Sequence, residues 1–123
     1  MEQKLHPVLA VRVFKNDGKC FGPGIAELLR NVQELHSLRA AAMAMGMAYS
    51  KAWTVMKTCE EHLGFKLLNS AAGGKNGGGA VLTPEAERLL EAYEAYRQAL
   101  QESAEALFAD YFREFQESGS CER

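Results

Sequence analysis

The sequence predicts a mainly α-helical α+β fold, a winged helix-turn-helix with a small β-hairpin wing and a long C-terminal dimerisation helix. Three observations predict it. Two helical patterns follow one another across a glycine-containing turn within residues 37–63, which is the arrangement of a helix-turn-helix. A glycine-rich run then separates two short apolar segments. Finally, Thr83-Pro84-Glu85 begins a long stretch in which no further glycine or proline appears before Gly119.

The N-terminal 36 residues predict a strand followed by a helix. Val8 to Lys15 alternates and is rich in β-branched residues, as strands are, and Asn16-Asp17-Gly18 supplies turn chemistry after it. Gly22-Pro23 is a helix start, because proline is favoured at the first helical position. Apolar residues at spacings of three and four then predict a helix from Pro23 to His36.

Two further helices form the predicted helix-turn-helix. Ser37 caps a helix from Leu38 to Met45, and Gly46 ends it in a left-handed conformation. The next helix runs from Tyr49 to Leu63, and Gly64 closes it. Its packed side is predicted to hold Ala52, Trp53, Met56 and Cys59, since large aromatic side chains at helical spacing usually pack and free cysteine is usually buried.

The solvent side of this third helix predicts contacts with DNA. Ser50, Lys51, Thr54 and Lys57 fall on one face, which can reach base edges and phosphates from the major groove. An ordinary solvated face is the alternative, because two lysines make a thin basic stripe.

The glycine-rich segment from Ser70 to Ala80 predicts the tip of a wing, between strands at Phe65 to Asn69 and at Val81-Leu82. Glycines let a loop follow a phosphate backbone closely, and lysine and asparagine side chains donate to phosphates. A flexible linker is the alternative. The complete predicted DNA-binding set is Arg39, Tyr49, Ser50, Lys51, Thr54, Lys57, Lys66, Lys75 and Asn76.

The C-terminal third predicts one long pairing helix. Thr83-Pro84-Glu85 is a strong helix start, so we expect a domain over residues 1–83, a helix over 84–117 and a disordered tail over 118–123. Apolar residues step by four and three with one polar position, and one small domain cannot cover a helix of about 50 Å. The seam therefore predicts a homodimer through Leu89, Tyr93, Tyr96, Leu100, Leu107 and Tyr111.

The charges divide along the chain in the same way. Residues 1–82 contain ten Lys and Arg against six Asp and Glu, whereas residues 83–123 contain four against ten, and the whole chain has a net charge of −2. This division is expected if only the N-terminal body faces phosphates. Of the 123 residues 47% are hydrophobic, and no apolar run approaches the roughly 20 residues of a membrane span. We therefore expect a cytoplasmic protein without a membrane partner.

Catalytic and metal-binding patterns are absent from the sequence. The glycine run has neither phosphate-loop spacing nor a strand leading directly into a helix. His6, His36 and His62 are scattered, and His36 and His62 are more typical of helix ends than of metal ligands. The cysteines at 20, 59 and 121 form no CxxC pair. We expect no enzyme, no cofactor and no metal.

Three segments resemble a known family. They are GPGIAELL at 22–29, AAAMAMGMAYSKAW at 40–53 and GGKNGGGAVLTPEAERLL at 73–90. Together they resemble the N-terminal DNA-binding domain of the ModE-type molybdate-responsive regulators, which are related to the LysR-type winged helices. The resemblance implies a transcription regulator that binds an operator in double-stranded DNA as a homodimer, with Ser50, Lys51, Thr54 and the Lys75 loop at the DNA.

Three departures from the family pattern qualify this expectation. Ala48 stands where a serine usually caps the recognition helix, and a lost cap costs about 1 kcal/mol. Ser70 and Ala72 replace basic and hydroxylated residues at the base of the wing. The match also ends before the molybdate-binding domains of full-length members, so either the chain acts as a DNA-binding subunit by itself or a separate effector-sensing protein acts on it. A winged-helix protein-interaction scaffold with little DNA binding is the alternative function.

Overall fold

The computed structural model describes residues 4–16, 18–70 and 79–120. The chain divides into two compact units, one comprising residues 10–93 and the other the residues before and after them. In chain order the elements are β1 (Val13–Lys15), β2 (Gly18–Phe21), α1 (Pro23–Leu35), α2 (Leu38–Ala44), α3 (Tyr49–Leu63), β3 (Leu68–Ser70), β4 (Ala80–Leu82), α4 (Pro84–Tyr111) and α5 (Arg113–Ser120).

The N-terminal strand is shorter than predicted. It covers Val13–Lys15 rather than Val8 to Lys15, and it pairs with β2 in an antiparallel hairpin. The partner strand has only four residues and the register shifts between Val13 and Phe14, which limits the paired length. Asn16 has a φ of 54°, so it takes the left-handed conformation that turns require.

Helices α1, α2 and α3 confirm the predicted helix-turn-helix. The hydroxyl of Ser37 accepts a hydrogen bond from the Ala40 N–H at 3.0 Å and caps α2. Gly46 and Gly64 have φ angles of 69° and 88°, so both turns use a conformation that glycine adopts without strain. The predicted bounds of α3 are those observed, and α2 ends at Ala44, one residue earlier than expected.

The core of the first unit lies where α1 crosses α2 and α3. Leu28, Leu29 and Val32 of α1 are fully buried, and the facing positions include Ala41 and Ala52, neither of which has exposed surface. Small facing residues allow the helices to approach closely. This packing holds α3 so that its other side remains free.

The wing strands pair with each other and attach to the segment between α1 and α2. In the antiparallel β3–β4 pair Asn69 lies opposite Val81, and the Ala80 N–H donates to the carbonyl of His36 at 3.0 Å. Residues 71–78, which include the predicted wing tip with Lys75 and Asn76, lie outside the described part of the chain.

The start of α4 is joined to the base of the wing by Thr83. This buried hydroxyl accepts from the Ala86 N–H at 3.0 Å, which confirms the predicted cap, and it donates to the Lys66 carbonyl at 2.7 Å. Residues 84–93 consequently belong to the first compact unit, so the unit boundary lies ten residues beyond the predicted one at 83.

The prediction of one continuous helix over residues 84–117 is wrong at Phe112. There α4 has ended and α5 begins at Arg113. The Phe112 carbonyl accepts from the Phe115 N–H at 3.0 Å as well as from the Gln116 N–H at 3.1 Å, so the first turn of α5 is tightened. The rings of Phe108 and Phe112 are stacked with their centroids 4.3 Å apart at this break. Helix α5 runs to Ser120 and so extends into the predicted tail. None of the described helices is long and apolar enough to cross a membrane.

Candidate nucleic-acid interface

Helix α3 presents its predicted contact residues on two flanks. Lys51 and Thr54 border a largely apolar cavity of about 450 Å³ against α1 and β2. Tyr49 and Lys57 border a more polar cavity of about 300 Å³ against the wing strands, named here the α3–wing cavity. Ser50 is exposed at the first turn of the helix. The predicted residues thus share one exposed side of α3, but they do not form a single stripe.

The α3–wing cavity brings together cations from three parts of the chain. Arg39 comes from the first turn of α2, Lys57 from α3 and Lys66 from the segment before β3. The polar side chains of Asn69 and Ser70 line the same cavity from the wing. These three predicted cations therefore meet at one surface, although 18 to 27 positions separate Arg39 from the other two in the sequence.

Each of two cations lies over an aromatic ring in this region. The guanidinium carbon of Arg39 is 4.2 Å from the ring centroid of Tyr49, and the Lys57 Nζ is 5.4 Å from that of Trp53. Both distances are within the range of cation–π attraction, about 6 Å. These cation–π contacts hold the two positive groups beside the exposed side of α3.

The prediction that Trp53 belongs to the core is wrong. Its side chain is 48% exposed, whereas its neighbours Ala52 and Met56 are buried. Ala52 and Met56 already fill the side of α3 that faces α1 and α2, so the next position round the helix projects outwards. Trp53 lies three residues after Ser50 and four before Lys57, a spacing that places the three on one helix face. This spacing is visible in the sequence and could have placed Trp53 in the predicted DNA-binding set.

Glu60 is a residue of this site that the sequence did not identify. One carboxylate oxygen accepts a hydrogen bond from the Leu67 N–H at 2.8 Å, and the other lies 3.5 Å from the Lys57 Nζ. Glu60 therefore links the end of α3 to the segment that enters the wing. Its three-residue spacing from Lys57 was readable in the sequence, but the bond to Leu67 depends on how the chain folds back.

The apolar cavity on the other flank is bordered by two buried cysteines. Cys59 is 3% exposed, as expected for a small buried residue, and its thiol donates to the carbonyl of Cys20. Burial raises the pKa of Cys59 to about 12, and Cys20 and Glu60 add to the rise. The Nδ1 atom of His62 lies 3.0 Å from the Thr58 carbonyl oxygen, consistent with a helix-end role. Within the described residues, no three His, Cys, Asp or Glu side chains are placed to hold a metal ion.

The predicted pairing seam divides between the two units. Leu89 packs against the core of its own unit, and Tyr93 is only 4% exposed. The Tyr93 hydroxyl donates to the Val11 carbonyl at 2.7 Å, and its ring contacts Phe21 edge-on. Tyr93 is thus not available to a second copy, and its place in the seam is corrected.

The later seam positions remain on the surface. Tyr96, Leu107 and Tyr111 are exposed, and Leu100 is half-buried. Near the end of α4 an apolar groove is lined by Ala104, Leu107, Phe108, Tyr111 and Phe112. This groove is the part of the seam that is best exposed.

Comparison with known proteins associates the chain with regulators. The model of the family described as bacterial regulatory helix-turn-helix protein, lysR family, matches residues 26–87. The chain is 37% identical over 83 residues to the molybdenum-pterin-binding protein MopB of Rhodobacter capsulatus, which covers 68% of this chain and 31% of the relative. It is 34% identical over 91 residues to the DNA-binding transcriptional dual regulator ModE of Escherichia coli, covering 72% of this chain and 34% of that protein.

A solved structure supports the same fold. A crystal structure of a complex between the CbnR DNA-binding domain and DNA superposes with a TM-score of 0.56 at 20% identity, covering 72% of this chain and 95% of that one. At this identity the likeness establishes the winged-helix fold. The chain spans about a third of the length of the curated relatives named above.

Proposed function

The chain belongs to the LysR family of bacterial regulatory helix-turn-helix proteins, and its N-terminal part is a DNA-binding domain of the ModE type; from this premise we propose that it binds an operator as a homodimer. In the proposed complex α3 enters the major groove and the wing follows the adjacent backbone. Operator binding places the protein at the chromosome, and hence in the cytoplasm.

The observation that carries the proposal is the meeting of Arg39, Lys57 and Lys66 around the α3–wing cavity. An α-helix fits the major groove of B-DNA, which is about 12 Å wide, and phosphates border the groove on both sides. Cations contributed by α2, α3 and the base of the wing would therefore lie beside the helix that faces the bases. Ser50, Lys51 and Thr54 on the exposed side of α3 complete the proposed contact surface with hydroxyl and ammonium donors.

A connection with molybdenum is part of the proposal only through the relatives. MopB is named for binding molybdenum pterin, and a ModE of Herbaspirillum seropedicae is named as a molybdenum transport protein. We propose that a separate effector-sensing protein delivers the regulatory signal to this DNA-binding part, as the resemblance to molybdate-responsive regulators suggests.

Duplex binding across a salt series tests the proposed function. A pool of random duplexes is selected with the purified protein, and the affinity for the enriched sequence is measured between low and physiological salt. Each phosphate neutralised by a lysine or arginine contributes about −0.9 to the slope of log affinity against log salt. Lys66→Ala should therefore weaken binding and reduce the slope by about one unit.

Lys4→Ala is the matched control, because Lys4 is exposed and belongs to the other compact unit. It removes the same charge from the chain as Lys66→Ala and should leave the slope at the wild-type value. Absence of salt-dependent binding to any duplex at low ionic strength would contradict the proposed function and favour a protein-interaction scaffold.

A further inference from the structure

Trp53 is an apolar side chain placed within a polar contact surface. It is 48% exposed, although the transfer of such a large ring out of water is normally favourable. Ser50 and Lys57 flank it on the same face of α3. A large aromatic side chain that is left exposed at the centre of a proposed binding face indicates a contact with the bound partner, because the isolated chain does not bury it.

Contacts within the chain restrain the Trp53 ring. The Lys57 ammonium lies over it at 5.4 Å from the centroid, and the Glu60 carboxylate lies 3.5 Å from the same ammonium. Glu60 is in turn hydrogen-bonded to the Leu67 N–H at 2.8 Å. The indole is therefore part of a chain of contacts that ends on the backbone at the entrance to the wing. Such ordering before binding reduces the entropy lost when a ligand is bound.

The surroundings of the ring restrict the chemistry that it can recognise. Cations and polar groups of the α3–wing cavity account for phosphate and for hydrogen-bonding base edges. The Lys57 ammonium already lies over the Trp53 ring, and an apolar group is the partner that suits the remaining exposed indole surface. The C5-methyl of thymine is the apolar group on the major-groove edge of B-DNA.

We propose that Trp53 reads thymine in the operator by packing its indole against the C5-methyl group. The inference rests on the proposed function, because it requires α3 to lie in the major groove. It adds a residue outside the predicted DNA-binding set and specifies the base class that this residue selects. In this arrangement Lys57 and Glu60 are positioning residues, since they act through the ring.

Replacing thymine by deoxyuridine tests the inference, because the exchange removes the methyl group and leaves every hydrogen-bonding atom. Selected operator duplexes are prepared with each thymine exchanged in turn, and the affinity of the wild-type protein is measured for each. Burial of one methyl group corresponds to about a fourfold change in affinity. We expect that loss at one or two thymines in each half-site and no change at the others.

Three variants assign the effect to the ring. Trp53→Ala should bind thymine and deoxyuridine duplexes equally, and Trp53→Phe should retain part of the difference. Phe14→Ala removes another exposed aromatic, from β1, and should keep the full wild-type difference. Thermal unfolding shows whether each variant is folded. The comparison of thymine with deoxyuridine duplexes on the wild-type protein does not depend on any variant.

The outcomes separate this inference from the function on which it rests. If the wild-type protein binds no duplex, the proposed function and the inference both fail. If it binds but no thymine shows a methyl effect, or Trp53→Ala keeps the effect, the inference alone is overturned. If Trp53→Ala has wild-type affinity for every duplex, the inference is again overturned, and the exposed ring is then a candidate contact for a partner protein.

Discussion

At the scale of single residues, Cys59 illustrates how burial sets chemical behaviour. Its thiol is buried, hydrogen-bonded to the Cys20 carbonyl and shifted in pKa from 9.0 to about 12, chiefly because burial penalises the charged thiolate. A protonated thiol is a weak nucleophile and a weak metal ligand. Cys59 therefore acts as a packing residue between α3 and β2.

The raised pKa of Cys59 predicts an alkaline loss of stability. Its contribution is fully present below pH 9, where the thiol is protonated in both the folded and the unfolded state. Between pH 9 and about 12 the unfolded thiol ionises and the folded one does not. The free energy of unfolding should therefore fall, by at most about 1.4 kcal/mol per pH unit from this group.

Urea unfolding from pH 8 upwards measures this effect, with Cys59→Ser as the matched control. Serine keeps a hydroxyl donor for the Cys20 carbonyl but does not titrate in this range. The wild-type protein should lose stability more steeply than Cys59→Ser above pH 9. Parallel curves for the two proteins would show that the thiol ionises equally in both states.

At the scale of elements, α3 begins without the side-chain cap that α2 and α4 have. Ser37 and Thr83 each accept a hydrogen bond from the third residue of the helix that follows. Ala48 occupies the same position before α3 and offers no side-chain acceptor. Helix α3 is therefore held mainly by its packing and not by its cap.

Replacing Ala48 by serine should stabilise the first unit by about 1 kcal/mol. The backbone of Ala48 has φ −67° and ψ 146°, an extended conformation that suits an N-cap. The new hydroxyl can therefore accept from the Lys51 N–H, which donates to the Ala48 carbonyl at 3.1 Å in the wild-type chain. Urea denaturation measures the change. Ala95→Ser makes the same chemical exchange within α4, where serine is slightly unfavourable, and should give no gain. Equal effects at the two positions would contradict the capping explanation.

At the scale of the whole molecule, apolar surface remains on α4 beyond the first unit. Leu107 is 56% exposed and lines the apolar groove at the end of the helix. A homodimer that covers this groove would remove the surface from water and pair two DNA-binding units. The half-sites of its operator should then lie about 34 Å apart, or a multiple of that distance.

Leu107→Asp should convert the proposed dimer into a monomer, because the dimer would bury an unpaired carboxylate. Sedimentation equilibrium measures the mass of the protein in solution. Circular dichroism shows whether the variant is folded. Ala106→Asp places the same charge on the adjacent exposed residue outside the groove lining and should leave the mass unchanged. A dimer that survives Leu107→Asp would exclude the groove as the pairing surface.

The order of the helices and the first residues of α1 to α4 could be predicted from the sequence. Ser37, Gly64 and Thr83 act on backbone groups within a few residues of themselves, so their effect can be read from local spacing. The side of α3 that the core leaves uncovered was also predictable in large part, since the helical period places Ser50, Thr54 and Lys57 together. The first strand and the continuity of the last helix were less predictable, because pairing length and a break without glycine or proline have no local signal.

Which aromatic side chains are buried depends on the tertiary fold. Sequence spacing assigned Trp53 to the core and Tyr93 to a pairing seam, and the structure reverses both, because Ala52 and Met56 fill the core side of α3 while Tyr93 meets Phe21 and the Val11 carbonyl. The hydrogen bond between Tyr93 and Val11 joins residues 82 positions apart. Periodicity gives the face on which a side chain lies, but whether that face is covered depends on distant segments that folding brings together.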